Sequence, residues 1–350
     1  MKSYLTKALA LLMALTMVFA LAACGQKAAP AAETKPEAGP SAEAAPAEEV
    51  KAEPVVIEVA TMYSTEDSHH AALEKANAYL QEKTEGRVSF NIYPNGTYGD
   101  QANCIQAVRM NTLDVFHTSY NADYVKEASA LQGPYLFRDY AHWHLFTESS
   151  IKDEINAKIE EAMGCHIVET NHFGFREVVS TVKATTPEEF AKVKMRVVNV
   201  SPYPEAAVVL GATGTPIGIA DVYMSLQTSV VQATENPLSQ IDSMKFAEVT
   251  DYLIKTDHML ATEYWIMSND CYDRLSDEDR AVVMEAFDIM GNYIEEANET
   301  AEEDYLAKFQ NENGLELVEV DKQLFMDRLP EVFKDYPEWE AIYAQVQALA

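Results

Sequence analysis

One long amphipathic helix limits the folds that this chain can adopt. Ser276-Asp277-Glu278-Asp279 is a typical helix-capping sequence, and from there an apolar residue recurs every three or four positions. The pattern predicts a single helix from Ser276 to Asn313, ended by Gly314. A helix of about 35 residues is ~50 Å long, because each residue adds about 1.5 Å. This length exceeds one small domain, so we expect the helix to span two.

Before this helix, apolar strands alternate with amphipathic helices. Strands are predicted at Val55–Ala60, Arg87–Tyr93, Leu113–His117, 166–169 and 194–198, with helical segments between them. Such alternation indicates βαβ units and a parallel or mixed sheet. Together with the long helix, it predicts an α/β fold of two domains.

The N-terminus has the pattern of a bacterial secretion signal. Lys2 and Lys7 precede an apolar run, which ends in Leu21-Ala22-Ala23-Cys24. These features predict a lipoprotein signal peptide over 1–23 and lipidation of Cys24, which would anchor the chain to the membrane. An ordinary signal peptide that contains a cysteine is the alternative, and a transmembrane helix is disfavoured by the shortness of the run.

Residues 24–54 follow as a linker rich in Ala, Pro and Glu. Since this composition offers little apolar surface to bury, we expect a disordered tether between the lipid anchor and the folded part.

The charge balance narrows the possible partners. The chain has 26 Lys and Arg against 56 Asp and Glu, a formal net charge of -30. So acidic a surface disfavours binding to nucleic acid and to anionic lipid headgroups. A basic residue inside an apolar strand is therefore conspicuous.

Cysteine and histidine patterns predict neither a redox centre nor a metal site. Apart from Cys24, the cysteines are Cys104, Cys165 and Cys271, and none forms a CxxC pair, so at most one disulfide is possible and buried thiols are expected. The pairs at 69–70 and 142–144 do not supply three or four converging ligands. We expect no metal and no cofactor, and no GxSxG, P-loop or HExxH motif indicates an enzyme.

The segment Met195–Ile241 has the order expected for one wall of an anion-binding cleft. It places Arg196 in an apolar strand, followed by a crossover rich in Gly, Thr and Pro, an amphipathic helix, and the Asn236-Pro237 pair. A guanidinium is planar and stays charged at all ordinary pH values, so it suits a carboxylate. A surface ion pair is the alternative role for Arg196.

Several ordered motifs resemble those of the solute-binding proteins of tripartite ATP-independent periplasmic (TRAP) transporters, the DctP family. The resemblance runs from about Val55 to beyond Asn311. The motifs are Lys83–Val88, Tyr93–Asp100, Gly133–Asp139, Gly174–Arg176, Lys194–Val197, Asp221–Tyr223, Leu226–Thr228 and Glu235–Leu238.

The resemblance implies two α/β domains that close on an organic acid, a periplasmic-binding-protein-like fold with the ligand cleft between the domains. The expected boundaries are 54–173 plus 262–301 for one domain and 174–261 plus 302–350 for the other. By analogy with the family, Arg196 grips the ligand carboxylate, Arg176 lies near the same carboxylate or another ligand oxygen, and Asn236 hydrogen-bonds the ligand. A salt bridge at the domain hinge is the alternative role for Arg176, and a turn formed with Pro237 is the alternative role for Asn236.

Two positions depart from the family pattern. Ile219 stands where the family commonly has a ligand-stacking Phe, so an apolar contact replaces stacking. Ala233-Thr234 replaces an Asp-Gly pair in the loop before Asn236.

The opposite wall is predicted from the ends of the first-domain strands, where open α/β sheets bind ligands. The candidates are Met62, Tyr63, Asp100, Ser119 and Tyr120.

The expected function is therefore capture of a small organic acid (a dicarboxylate, keto acid or sugar acid) outside the cytoplasm. The resemblance implies delivery of the acid to a small and a large TRAP membrane subunit, ion-gradient-driven uptake, and a monomeric, non-enzymatic protein. An ABC-type or sensor-linked binding lipoprotein and a cell-surface enzyme are the alternatives.

Overall fold

The computed structural model describes residues 54–349, so the predicted signal peptide, Cys24 and nearly all of the linker lie outside the described residues. The described part contains nine strands and thirteen α-helices. The strands are β1 Val55–Ala60, β2 Val88–Tyr93, β3 Val115–Ser119, β4 His166–Ser180, β5 Lys194–Val197, β6 Thr213–Pro216, β7 Ala233–Pro237, β8 Tyr252–Met267 and β9 Glu316–Glu319. The helices are α1 Ser68–Lys83, α2 Gln101–Arg109, α3 Tyr140–Thr147, α4 Ser150–Met163, α5 Pro187–Phe190, α6 Tyr203–Leu210, α7 Val222–Gln227, α8 Leu238–Ser243, α9 Asn269–Arg274, α10 Asp277–Asn311, α11 Lys322–Met326, α12 Leu329–Phe333 and α13 Pro337–Gln347. Short 3-10 helices cover Lys126–Gln132, Ile219–Asp221 and Phe246–Val249.

All nine strands belong to one mixed sheet in the order β2-β1-β3-β8-β4-β7-β5-β6, with β9 paired to β8. The pairs β1–β2, β1–β3, β5–β6, β5–β7 and β8–β9 are parallel. The pairs β3–β8, β4–β7 and β4–β8 are antiparallel. This mixture agrees with the α/β fold predicted from the sequence.

The long strands β4 and β8 lie side by side in the middle of the sheet and divide it into two halves. They pair with each other from His166–Met267 at one end to Ser180–Tyr252 at the other. The first half consists of β1, β2 and β3 beside the end of β8, and the second of β5, β6, β7 and β9. Register shifts between His172 and Phe175, and between Arg176 and Val178, interrupt the β4–β8 ladder where the halves meet.

Helix α10 contacts both halves of the fold, as its length predicted. The Ser276 hydroxyl accepts a hydrogen bond from the Asp279 backbone N–H at 3.0 Å and caps the first turn. The helix packs against α1 and β4, and it also touches α8 and β9 of the second half. Its buried face includes Phe287, Met290 and Phe309.

The predicted elements differ from the structure at four places. Strand β3 lies two residues further along than predicted, and β4 extends well beyond the predicted 166–169. Strand β8 was not predicted at all. Both long strands carry buried polar residues such as Asn171, Arg176 and Glu263, which break the apolar pattern by which a buried strand is recognised. Asn236 and Pro237, predicted to form a turn, end strand β7.

Two smaller findings complete the fold. Cys104, Cys165 and Cys271 are buried free thiols. Within residues 54–349, none of the helices combines the length and the apolar character that a membrane span requires.

Candidate functional site

A cavity of about 510 Å³ lies where the two halves of the sheet meet. Residues of both halves line it, which is the position expected for a ligand site in a two-domain α/β fold. The lining residues are Met62, Tyr63, Gln101, His117, Thr118, Ser119, Phe173, Arg176, Arg196, Val198, Asn199, Val200, Tyr203, Pro216, Ile217, Gly218, Ile219, Asn236, Gln240 and Glu263.

Arg196 reaches the cavity from strand β5 and is 3% exposed. Its Nε donates to the backbone oxygen of Ile217 at 2.8 Å, and this bond orients the guanidinium. Its Nη1 is buried and has no hydrogen-bond partner among the described residues. Burial lowers the pKa of Arg196, and the nearby Arg176 cation lowers it further, while the Glu235 carboxylate acts in the opposite direction. The guanidinium nevertheless remains charged, because arginine does not deprotonate in proteins. The site therefore contains a buried cation with a free donor.

Arg176 on β4 already has a carboxylate partner inside the protein. Its Nε lies 2.5 Å from one oxygen of Glu235, and its Nη2 donates to the other oxygen at 3.1 Å. The ring of Tyr203 lies 5.0 Å from the guanidinium carbon. Burial opposes ionisation of Glu235, but Arg176 and His258 outweigh it and lower the pKa of its carboxyl to about 2. Glu235 therefore neutralises Arg176.

Asn236 and Ile219 complete the wall formed by the second half of the sheet. The Asn236 amide nitrogen donates to Gln240 Oε1 at 2.6 Å, and its oxygen accepts from the Thr234 hydroxyl at 3.1 Å. These bonds fix the orientation of the amide at the cavity surface. Ile219 is 38% exposed and adds apolar surface to this wall.

The first half of the sheet supplies the facing wall. Met62 and Tyr63 follow β1, and Ser119 is the last residue of β3. All three line the cavity with the arginines and Asn236. The structure therefore brings together seven of the nine predicted ligand-binding residues.

Tyr120 and Asp100 lie outside the lining of the cavity. Tyr120 is fully buried, and its hydroxyl bonds to Asn156 at 2.8 Å and to Thr170 at 3.2 Å. Neighbouring residues of an extended chain point to opposite sides, so Ser119 faces the cavity while Tyr120 does not. The Asp100 carboxylate caps α2 by accepting from the Asn103 N–H at 2.8 Å, and the next residue, Gln101, lines the cavity instead.

Behind the first wall, the buried carboxylate of Glu263 on β8 accepts five hydrogen bonds. One oxygen faces His69 Nε2 at 3.0 Å and the side-chain nitrogens of Asn171 and Trp265, both at 3.2 Å. The other oxygen faces His117 Nδ1 at 2.9 Å and the Tyr63 hydroxyl at 3.1 Å. We call these residues the Glu263 cluster. It holds Tyr63, whose ring stacks on His69 with centroids 3.6 Å apart.

The two histidines of the cluster have different partners. Both ring nitrogens of His69 face carboxylates, since Nδ1 lies 2.6 Å from Asp67. Burial acts to lower the pKa of His69, but Glu263 and Asp67 raise it to about 9. Both ring nitrogens of His117 are also occupied, since Nδ1 lies 2.9 Å from Glu263 and Nε2 accepts from the Met62 backbone N–H at 3.2 Å. The His69 cation thus offsets the Glu263 carboxylate.

The histidines of the 142–144 pair have separate environments, and His144 is half-exposed beside Glu295 and Glu299. His142 is buried and contacts the Val346 backbone oxygen at 2.9 Å. Across the described residues, no three or more His, Cys, Asp or Glu side chains are grouped so as to hold a metal ion.

The sequence matches a known family over most of this fold. The model of bacterial extracellular solute-binding protein family 7, called DctP, matches residues 59–338. The chain belongs to the DctP family. The match covers both halves of the sheet and every residue that lines the cavity.

Several periplasmic binding proteins are similar to the chain over most of its length. The 2,3-diketo-L-gulonate-binding periplasmic protein YiaO of Escherichia coli is 30% identical over 277 residues, 78% of this chain and 84% of that protein. The sialic acid-binding periplasmic protein SiaP of Vibrio cholerae is 27% identical over 259 residues, 73% of this chain and 80% of that protein. The crystal structure of a TRAP solute-binding protein of Roseobacter denitrificans with bound L-galactonate matches with a TM-score of 0.73 and 25% identity, covering 80% of this chain and 94% of that one.

In this DctP protein, Glu263, His117 and Gln101 line the cavity and Glu235 pairs with Arg176, and none of these roles was predicted from the sequence. A usable signal existed for Glu263, because it is the one charged residue in the mainly apolar run Leu260–Met267. A charge in such a run indicates a buried residue with specific partners. Gln101 and His117 carry no comparable signal, since polar residues at helix starts and strand ends are common.

Proposed function

We propose that the protein is the extracytoplasmic solute-binding subunit of a TRAP transporter and captures a small organic acid through Arg196. The observation that carries the proposal is the buried, unpartnered Nη1 of Arg196 among the residues that the structure describes. An unsatisfied buried donor on a charged group is costly, and a carboxylate oxygen is the acceptor that best relieves that cost.

The similar proteins support an acid as the ligand. They bind sialic acid, 2,3-diketo-L-gulonate and L-galactonate. Each of these is a carboxylic acid. We propose that this chain likewise binds its acid reversibly and releases it unchanged, without catalysing a reaction.

A thermal-shift screen with organic acids tests this proposal. A ligand that binds only the folded protein at about 100 times its Kd stabilises it by ~2.7 kcal/mol. We therefore expect a narrow set of acids to raise the Tm by about 5 °C or more. Neutral sugars of the same size are the matched controls and should give no shift. A protein that no carboxylic acid stabilises, or that turns an acid over, would contradict the proposal.

We further propose that the two walls belong to separate domains that close on the acid. The proposed domains are 54–173 plus 262–301 and 174–261 plus 302–350. Arg196 and Asn236 lie on β5 and β7 of the second, whereas Tyr63 and Ser119 follow β1 and end β3 in the first. A ligand that touches both walls favours the closed form by its differential affinity for that form. The interrupted β4–β8 ladder and α10 connect the two domains and must bend.

Small-angle X-ray scattering tests the closure. We expect the radius of gyration to fall when a saturating acid from the thermal-shift screen is added. Arg196→Ala with the same acid is the control, and its scattering curve should not change. A wild-type radius that stays constant at saturation would count against closure.

We propose that a lipid on Cys24 holds the protein, as a monomer, on the outer face of a membrane, where the closed form meets the small and large membrane subunits. Cys24→Ser removes the acceptor thiol, so the variant should be released or remain an unprocessed precursor. Cell fractionation and intact-mass measurement check this result, with Cys104→Ser as the control that stays anchored. An unlipidated, soluble wild-type product would rule out the anchor.

A further inference from the structure

The turn that follows β2 holds part of the first wall of the cavity. Met62 and Tyr63 line this wall from a short irregular segment that follows β1. The Asn95 backbone N–H donates to the Tyr63 oxygen at 2.8 Å, and the Gly96 N–H donates to the Thr61 oxygen at 3.0 Å. These two bonds continue the β1–β2 pairing beyond the strands, so the turn fixes the backbone of the lining segment.

The turn requires a backbone conformation that few residues adopt. Asn95 and Gly96 have φ angles of 57° and 64°, and the Thr97 N–H closes the turn on the Pro94 oxygen at 3.0 Å. Asparagine tolerates a positive φ better than most residues, and glycine adopts it without a steric penalty because it has no Cβ.

Gly96 also leaves the space that the Met62 side chain occupies. A Cβ at position 96 would lie 3.1 Å from Met62 Cε and 3.5 Å from its Sδ, and the first distance is shorter than two carbons normally approach. The Met62 backbone is held on its other side, because its N–H donates to His117 Nε2 at 3.2 Å. A larger residue at position 96 would therefore displace the thioether and leave the Met62 backbone in place.

We propose that Gly96 is a positioning residue of the cavity: because it carries no side chain, it lets the Met62 thioether lie against the turn, and this placement sets the shape of the first wall for the ligand. The inference rests on the proposed capture of an acid in this cavity. It adds to that function a residue that lies outside the lining and acts through Met62.

A methyl NMR experiment on the ligand-free protein tests the placement of the thioether. The purified full-length protein is labelled at the methionine ε-methyl carbons, and the Met62 resonance is assigned from its loss in Met62→Ala. We expect Gly96→Ala to shift this resonance. Gly86→Ala is the matched control, since Gly86 precedes β2 with a φ of 78° and a Cβ there would meet no atom within 4 Å. An unmoved Met62 resonance in Gly96→Ala overturns the inference.

Calorimetric titration tests the effect on binding. The probe is the acid with the largest Tm shift in a screen that includes D-gluconate, D-glucarate and succinate. Gly96→Ala should raise its Kd about fivefold or more, because the displaced thioether alters a wall that fits the ligand. Gly86→Ala carries the same kind of backbone strain and should bind like the wild type. An unchanged Kd in Gly96→Ala overturns the inference and leaves acid capture intact.

A double-mutant cycle separates the thioether from the turn backbone. In the Met62→Ala background, Gly96→Ala should change the Kd less than about twofold, although the strain at positive φ still lowers the Tm. A full fivefold loss in that background would show that the turn acts without Met62, against the inference. Gly96→Asn replaces Gly96→Ala if the latter does not fold, since asparagine tolerates positive φ. If no acid binds the wild type, acid capture fails and the inference fails with it.

Discussion

Arg196→Ala is expected to abolish measurable binding of the acid while the protein stays folded. Removal of one partner from a desolvated charge pair costs ~2–5 kcal/mol, which weakens binding roughly 30- to 5,000-fold. The unliganded variant should be as stable as the wild type, because the deleted group is a buried cation whose Nη1 has no partner in the described residues. Calorimetric titration measures the affinity, and thermal unfolding without ligand measures the stability.

Two further variants give this prediction its controls. Arg196→Lys keeps the charge but supplies a single ammonium group, so it should bind weakly as well. Arg138→Ala removes an exposed arginine whose contacts are backbone oxygens near the C-terminus, and it should bind like the wild type. Wild-type affinity in Arg196→Ala would show that another residue receives the carboxylate.

Glu263→Gln is expected to cause a large loss of stability. The carboxylate accepts hydrogen bonds from five side chains, whereas an amide presents an NH2 group to some of these donors. The change also leaves the buried His69 cation without one of its two carboxylates. Breaking a buried charge pair in this way costs ~3–5 kcal/mol of unfolding free energy. The Tm should therefore fall by about 10 °C, as measured by calorimetry.

The Glu263 carboxylate and the His69 cation also predict how the stability of the wild-type protein depends on pH. The pKa of His69 rises from 6.5 to about 9 on folding, so its stabilising contribution is complete below 6.5 and is lost as the pH rises through 9. Folding lowers the pKa of Glu263, so its contribution is lost only in strong acid. In the His69→Gln variant, stability should therefore no longer fall as the pH rises from 6.5 through 9.

Glu331→Gln is the control for Glu263→Gln. It changes a carboxylate at the surface, where Glu331 pairs with Arg328, and should change the Tm little. A Glu263→Gln protein of wild-type stability would contradict the role given to the cluster.

The sequence predicted the outer parts of the structure better than its centre. The capping sequence at Ser276 and the apolar spacing behind it specify α10, because local hydrogen bonds and one apolar face are enough to define a helix. The strands β4 and β8 were predicted in part or not at all, because their central residues are polar. Arg176 and Glu263 are stable there only through partners far away in sequence, and no local pattern records those partners.

In the candidate site, too, some residues could be predicted from the sequence and others could not. Arg196 was predictable because a charged residue between Met195 and Val197 in a short strand requires a special reason. That Glu235 satisfies Arg176 was not predictable, since the two residues are 59 positions apart and meet only when β4 pairs with β7. Tyr120 was placed on the wrong side because its neighbour Ser119 ends β3, and the direction of each side chain depends on the exact register of that strand.

A crystal structure of the protein with the acid identified by thermal shift tests the central claim most directly. We predict that the acid lies in the cavity between Ile219 and Ser119, with a carboxylate oxygen about 2.8 Å from Arg196 Nη1. In the same structure, Arg176 should still be paired with Glu235. A carboxylate bound away from Arg196, or an acid bound outside this cavity, would contradict the account.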